Sequence, residues 1–298
     1  MTQISSGSLA EGMDLPGSNV DIMFVDDVVN VTRIEKNIKH PVQRTEFVME
    51  TDVDHPLFTR LRLIAAEVRE NMFVSKECIV NTQTVLYLST TNFINQLKHR
   101  PPQEYYPHGP CLSNKEQTCD IAFFLRSKYL PYQAKPWILR YRRQWPSDVV
   151  IDRIINNGCL LVPIGPETLA GCNLLWRISF SVAEKHLVHS FNFTQLLCYG
   201  LLKLTLKLIV NTNEDAKDLM CSYYLKTALF WVSEEMDIDT FQLPKLFSCF
   251  SLCLNKLISW VNNCYCPNYV IHEHMFLGKI NKYNNNSLLS VLNSIKNS

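Results

Sequence analysis

One change of pattern constrains this chain more than any other feature: up to about residue 166 short strands and helices alternate, and beyond it the apolar spacing is helical throughout. Such a chain folds as α+β, with a mixed sheet in its first part and a purely helical second part. The boundaries drawn from this are a core lobe over residues 1–165, a helical lobe over 166–283 and a weakly ordered tail over 284–298, which opens with three consecutive asparagines. At 298 residues and 47% hydrophobic content the chain can bury a sizeable core. Its formal net charge of +1 argues against a polyanion binder that works by bulk charge.

The first part predicts strands over Asp21 to Val29 and Thr45 to Glu50, then a helix from Leu57 to about Met72 with apolar residues at 61, 63, 64, 68 and 72. Residues 76–98 read equally as helix or strand. Arg100-Pro101-Pro102 and His108-Gly109-Pro110 mark loops. Asp120 opens the apolar strand Ile121 to Leu125, and its spacing alone favours a strand-edge cap over a functional role. Trp145-Pro146-Ser147-Asp148 starts a helix through Ile155, which Asn156-Asn157-Gly158 ends before a buried strand from Cys159 to Ile164. Helices are expected over Val182 to Val188, Phe193 to Val210, Asp215 to Glu235 and Pro244 to Asn262.

Eleven cysteines, an odd count with no secretory signal before them, favour a reducing, cytoplasmic setting. Cys249, Cys253, Cys264 and Cys266 with His272 and His274 fit no standard zinc spacing, so no zinc is expected. The apolar runs Leu196 to Val210 and Leu246 to Val261 are short and interrupted by Lys203, Lys207 and Lys256, so no membrane association is expected.

Two short blocks carry chemistry. Gly7-Ser8 is a turn whose backbone N–H groups and hydroxyl suit phosphate oxygens. Gly17-Ser18 then leads into Asn19-Val20-Asp21, where residues 19 and 21 share one face of a strand. Two carboxylates there would grip a divalent metal, but position 19 is Asn.

These blocks, with Trp176-Arg177-Ile178-Ser179-Phe180-Ser181, Cys221-Ser222-Tyr223-Tyr224-Leu225-Lys226 and Asn268-Tyr269-Val270-Ile271, resemble in order the cyclic GMP-AMP synthase-like receptors and the wider Mab-twenty-one-like family of nucleotidyltransferase-fold proteins. The resemblance implies a bilobal nucleotidyltransferase fold with its active site in the cleft between the lobes. It makes Asp21 and Asp120 the second and third metal carboxylates, with the first falling on Asn19. It implies base or phosphate contacts from Arg177 and Ser179, stacking by Tyr223, phosphate binding by Gly7, Ser8, Ser222 and Lys226, and weaker phosphate roles for Lys203 and Lys207. Tyr223 as a core residue and Arg177 as a lobe-bridging residue remain open alternatives.

The implied substrates are ATP and GTP, the cofactors Mg²⁺ or Mn²⁺, the product a cyclic dinucleotide of innate immune signalling, and the activator double-stranded nucleic acid. The family's zinc-binding insertion and the helix that precedes its Gly-Ser turn have no counterpart in these residues. For an activator the densest basic cluster is Arg140, Arg142 and Arg143 with Lys135, which a solvated helix face explains equally well.

Asn can lend a carbonyl oxygen to a metal but brings no charge. One unit-charge pair at ~4 Å and an effective dielectric of ~20 is worth about 4 kcal/mol, or roughly a thousandfold in rate. The sequence therefore supports a synthase of weak or absent activity. Its competitor is a catalytically inactive Mab-twenty-one-like protein that binds nucleotide or a protein partner.

Overall fold

The structure, a computed structural model, describes residues 2–13, 19–33, 44–52, 54–66, 74–97, 105–108, 111–116, 118–166, 169, 172–217, 219–276 and 278–297. The expectations at Gly17-Ser18, residues 67–72, Arg100-Pro101-Pro102 and Gly109-Pro110 lie outside the described residues.

Along the chain come β1 (Thr2–Ser6), α1 (Gly7–Ala10), β2 (Val20–Thr32), β3 (Glu46–Thr51), β4 (Phe58–Ala65), β5 (Ile79–Thr82), β6 (Val85–Leu88) and α2 (Thr90–Leu97). They are followed by β7 (Tyr105–His108), β8 (Cys111–Asn114), β9 (Cys119–Ser127), α3 (Lys135–Leu139), α4 (Asp148–Asn157), β10 (Cys159–Val162) and β11 (Trp176–Ser179). The rest is helical: α5 (Ser181–His189), α6 (Phe193–Thr205) with a π-helical continuation over Leu206–Val210, α7 (Ser222–Glu235), α8 (Leu246–Asn262) and α9 (Asn285–Asn297).

Packing divides the chain into two units. One comprises Met1–Lys135 and Asp152–His186, the other Pro136–Ile151 and Leu187–Ser298. Residues 136–151 thus group with the C-terminal helices, a non-local association that a single cut near residue 166 does not capture.

In the first unit β2 is the centre of the sheet. Its first half pairs antiparallel with β1 and parallel with β9, and Asn30–Thr32 then pair parallel with β3. The pairings β3–β4–β11–β10–β9 lead back to β2, so six strands close into a ring. The parallel register sets Asp21 beside Asp120, Met23 beside Ala122 and Val25 beside Phe124. Because side chains alternate, one face carries the two carboxylates and then an apolar cluster of Met23, Val25, Ala122, Phe124, Leu160 and Val162.

Leu57 to Met72, expected as a helix, is strand β4 over Phe58–Ala65. Leu61 is buried and Arg60 exposed, the alternation of a strand flanked on both sides, here by β3 and by β11 and β6. Over residues 76–97 the ambiguity resolves into both states: a short 3₁₀ turn, the β5–β6 hairpin and helix α2.

In the second unit α6 starts with a reciprocal capping box between Asn192 and Gln195. Phe193–Val210 has the length and hydropathy to cross a membrane by composition alone, but α6 packs on α7 and α8 and the stretch is 44% buried. The helix expected from Asp215 begins only at Ser222, after turns. The tail expected to be weakly ordered is helix α9, whose Leu288 and Leu292 are buried and whose Asn285 Nδ2 donates to Val261 O at 3.1 Å. Apolar residues four apart outweigh the asparagine content there.

Candidate functional site

Ser6 lies opposite Asp21 in the β1–β2 pairing, and the chain turns sharply one residue later. Gly7 makes that turn at φ +68°, and a Cβ on it would sit 1.8 Å from Oδ2 of Asp21. Only glycine satisfies both the left-handed backbone and this close approach. Ser8 follows in the four-residue helix α1, whose end is held by Met13 N donating to Ser8 O at 2.9 Å. The Gly-Ser turn and the Asp21 strand, separate blocks in sequence, are therefore in direct contact.

Asp21 and Asp120 occupy in-register positions on adjacent parallel strands, so two carboxylates stand side by side. The Asn19 amide donates from Nδ2 to Oδ2 of Asp120 at 2.6 Å, and Ser113 Oγ donates in a short bond to Oδ1 of the same carboxylate. Ser113 comes from β8, where it pairs with Asp120 across the strands. Asp120 is thus satisfied on both oxygens by neutral donors. Among the described residues neither carboxylate has a lysine or arginine at ion-pair distance.

Burial first, then the charges of Asp120 and Glu11, raise the pKa of Asp21 above its ordinary value. The same field acts on Cys111, whose thiol is pushed up to about 11 by burial and then by Asp120 and Asp21. These shifts mark a region of excess negative charge with an apolar floor.

That donor set can be tested against the divalent ions the family likeness implies. The resemblance implies two ions held by three converging carboxylates. Among the described residues the paired strands β2 and β9 bring two together, Asp21 and Asp120, and Asn19 presents an amide N–H toward Asp120. Among the described residues no group of three or more His, Cys, Asp or Glu side chains is arranged to hold a metal ion. The described residues do not fit a two-ion site.

Arg177 and Ser179 lie on β11, opposite Val162 and Leu160 of β10. Directly paired residues point to the same side of a sheet, so both share the face of the apolar cluster and of the two carboxylates, two strands from Asp120. Arg177 is exposed, and Ser179 Oγ donates to Ser181 Oγ at 3.2 Å. Three distant stretches of sequence meet on one face.

The remaining expected residues belong to the helical unit. Ser222 is exposed in the first turn of α7. Tyr223 is half-buried, its hydroxyl accepting from Asn268 Nδ2 at 3.0 Å and its ring 5.7 Å from Lys226 Nζ. Asn268 is itself fixed by accepting from the N–H groups of Val270 and Ile271. Lys203 is buried with its Nζ 5.6 Å from the Tyr199 ring, whereas Lys207 is exposed.

Arg140 and Arg142 do not form an open basic cluster. Arg140 Nε lies 2.6 Å from Oε1 of buried Glu234, and Arg142 Nε lies 3.4 Å from Oε2. Arg142 Nη1 also donates to Arg140 O at 2.9 Å. Sequence reading found neither Glu234 nor Ser113, because each acts through a partner set by tertiary pairing.

Residues 196–296, about a third of the chain, match the family model described as the Mab-21 protein HhH/H2TH-like domain. The matched stretch carries Lys203, Ser222, Tyr223, Lys226 and Asn268, and it supports membership of the Mab-21 family and, through it, a nucleotidyltransferase-like fold.

Proposed function

We propose that this chain is a nucleotidyltransferase-fold protein of the Mab-21 type that binds purine nucleoside triphosphate but transfers nucleotidyl groups weakly or not at all. In this reading Gly7 and Ser8 hold phosphate, while Arg177, Ser179, Tyr223, Ser222 and Lys226 supply base and phosphate contacts, and Lys203 is a weaker phosphate contact. The sequence likeness to cyclic GMP-AMP synthase-like receptors favours ATP and GTP as the substrates, Mg²⁺ or Mn²⁺ as the ions, a cyclic dinucleotide as the product and innate immune signalling in the cytoplasm as the setting. Double-stranded nucleic acid is the corresponding activator.

The observation that carries this reading is the Asn19 amide donating to Asp120 at 2.6 Å. An amide there supplies a donor where catalysis needs a charge, and the missing unit charge is worth about a thousandfold in rate at the ~4 kcal/mol of a close pair. The inactive alternative, a protein that binds nucleotide or a protein partner, is favoured by the same bond together with Ser113 Oγ, which leaves Asp120 fully satisfied without a cation.

The test is product formation from labelled ATP and GTP with Mg²⁺ or Mn²⁺, with and without double-stranded RNA or DNA, by the native chain and by Asn19→Asp and Asp120→Asn. Weak or no product from the native chain and clear product from Asn19→Asp is expected. Silence from both, with nucleotide binding retained, selects the inactive reading. Vigorous native turnover that survives Asp120→Asn contradicts both.

A further inference from the structure

Arg33 follows the last residue of β2, twelve positions beyond Asp21, and is not among the residues assigned to nucleotide handling. Its guanidinium carbon lies 4.8 Å from the centroid of the Tyr132 ring and 5.5 Å from that of Tyr129. Among the described residues no carboxylate pairs with it, and its buried Nε has no hydrogen-bond partner. The residue as a whole is only half-buried although its Nε is buried.

The aromatic walls are held by the backbone rather than by the arginine. Ser127 Oγ both donates to Tyr129 O at 3.0 Å and accepts from Tyr129 N at 3.1 Å. Cys159 Sγ donates to the same carbonyl at 3.5 Å. Gly158, at φ +67°, lets this turn come close: a Cβ there would sit 2.0 Å from Ser127 O. The Tyr129 ring is therefore placed before any ligand arrives, and Tyr132, 56% exposed, leaves the stack open to solvent. Lys128 and Lys135, which flank the two tyrosines in sequence, are also exposed.

A guanidinium held beside two aromatic rings and, among the described residues, without an acid partner is organised for bidentate binding of an oxyanion. Two further ammonium groups on the same short segment favour a dianion over a carboxylate. We propose that Arg33, Tyr129 and Tyr132 form an anion site for a phosphoryl group, separate from the acidic site at the other end of β2. The proposal does not depend on the nucleotidyltransferase reading.

The test is calorimetric titration of the full chain with inorganic phosphate and with a phosphomonoester, ribose 5-phosphate, at fixed ionic strength. The native chain should bind at least one of them saturably; binding of phosphate identifies the free anion as sufficient, and binding of the ester alone identifies a substituted phosphoryl group. Arg33→Met, which keeps the stem between the rings, and Arg33→Lys, which keeps the charge but not the fork, should each weaken binding by about tenfold or more. Chemical-shift changes on phosphate addition should centre on residues 127–134. Absence of saturable binding, or binding untouched in Arg33→Lys and lost instead in Lys226→Met, would overturn the proposal.

Discussion

Glu234 in the helical unit and the Asp21–Asp120 pair in the sheet unit are built from the same chemistry and finished in opposite ways. Glu234, 7% exposed, faces two guanidinium groups and accepts from the Tyr269 hydroxyl at 2.6 Å. Arg140 is further held against Trp231, 4.4 Å from its ring centroid, and against Tyr269 at 5.1 Å. Among the described residues Asp120 receives only neutral donors, the Asn19 amide and the Ser113 hydroxyl, and the two aspartates repel one another across adjacent strands. The first centre is complete within the fold, and its arginines are consumed by structure. The second keeps excess negative charge at the end of a sheet beside a glycine turn, where an external group could act.

Breaking the comparison at its strongest point means removing one charge from Glu234. Glu234→Gln leaves two guanidinium groups uncompensated in a buried setting and should cost about 3–5 kcal/mol of stability, measured by denaturant unfolding. Asp21→Asn, by contrast, removes a like charge and should stabilise the chain near neutral pH. If both substitutions destabilise alike, the two centres are not different in kind.

Gly7→Ala is the next largest effect. Its methyl would overlap the Asp21 carboxylate in a left-handed backbone, for a cost of about 1–3 kcal/mol. Glycine to alanine at Gly12, also left-handed but with nothing within 4 Å, isolates the backbone part, so the difference between the two melting shifts reads the crowding at Asp21.

The smallest effects are those of pH, and they run in opposite directions. Asp21 is raised by burial and its acidic neighbours, so its contribution is fully present below the ordinary carboxylate pKa of about 4 and is lost as pH rises through the raised value. His272 is lowered, by burial and then by Arg140, whose Nη1 lies 2.9 Å from its Nε2. Its contribution is present above the ordinary histidine pKa of about 6.5 and is lost as pH falls through the lowered value. Unfolding midpoints against pH should lose the fall that sets in above about pH 4 in Asp21→Asn, and the fall that sets in as pH drops below about 6.5 in His272→Gln.

Much of the sheet unit was legible because its signals are local. The apolar runs after Asp21 and Asp120 are long enough to show strands, and Gly158 marks the end of α4 by its position and by its φ of +67°. Strand β4 was misread although Arg60, Leu61, Arg62 and Leu63 alternate, because the leucines at 61 and 63 were combined with more distant apolar residues into a helical period. The asparagine-rich tail hid Leu288 and Leu292, four apart on the buried face of α9.

At the site, Asn19, Asp21 and Asp120 could be named from sequence, but their mutual geometry depends on the parallel register of β2 with β9, strands about 100 residues apart. Ser113 is seven residues from Asp120 and meets it only because β8 folds back on β9. Arg140 and Arg142 read equally as a phosphate-facing or a solvated cluster because their partner, Glu234, lies more than 90 residues away. Pairings between distant elements leave no local trace.

The central claim is that the Asn19 amide stands where a metal-binding charge is required. Mn²⁺ titration of the native chain and of Asn19→Asp, followed by electron paramagnetic resonance of the free ion, tests it without relying on turnover. The account predicts weak binding by the native chain and binding at least about tenfold tighter in Asn19→Asp, through the third carboxylate. Equal affinity in the two proteins would show that the charge at position 19 does not govern this site and would contradict the account.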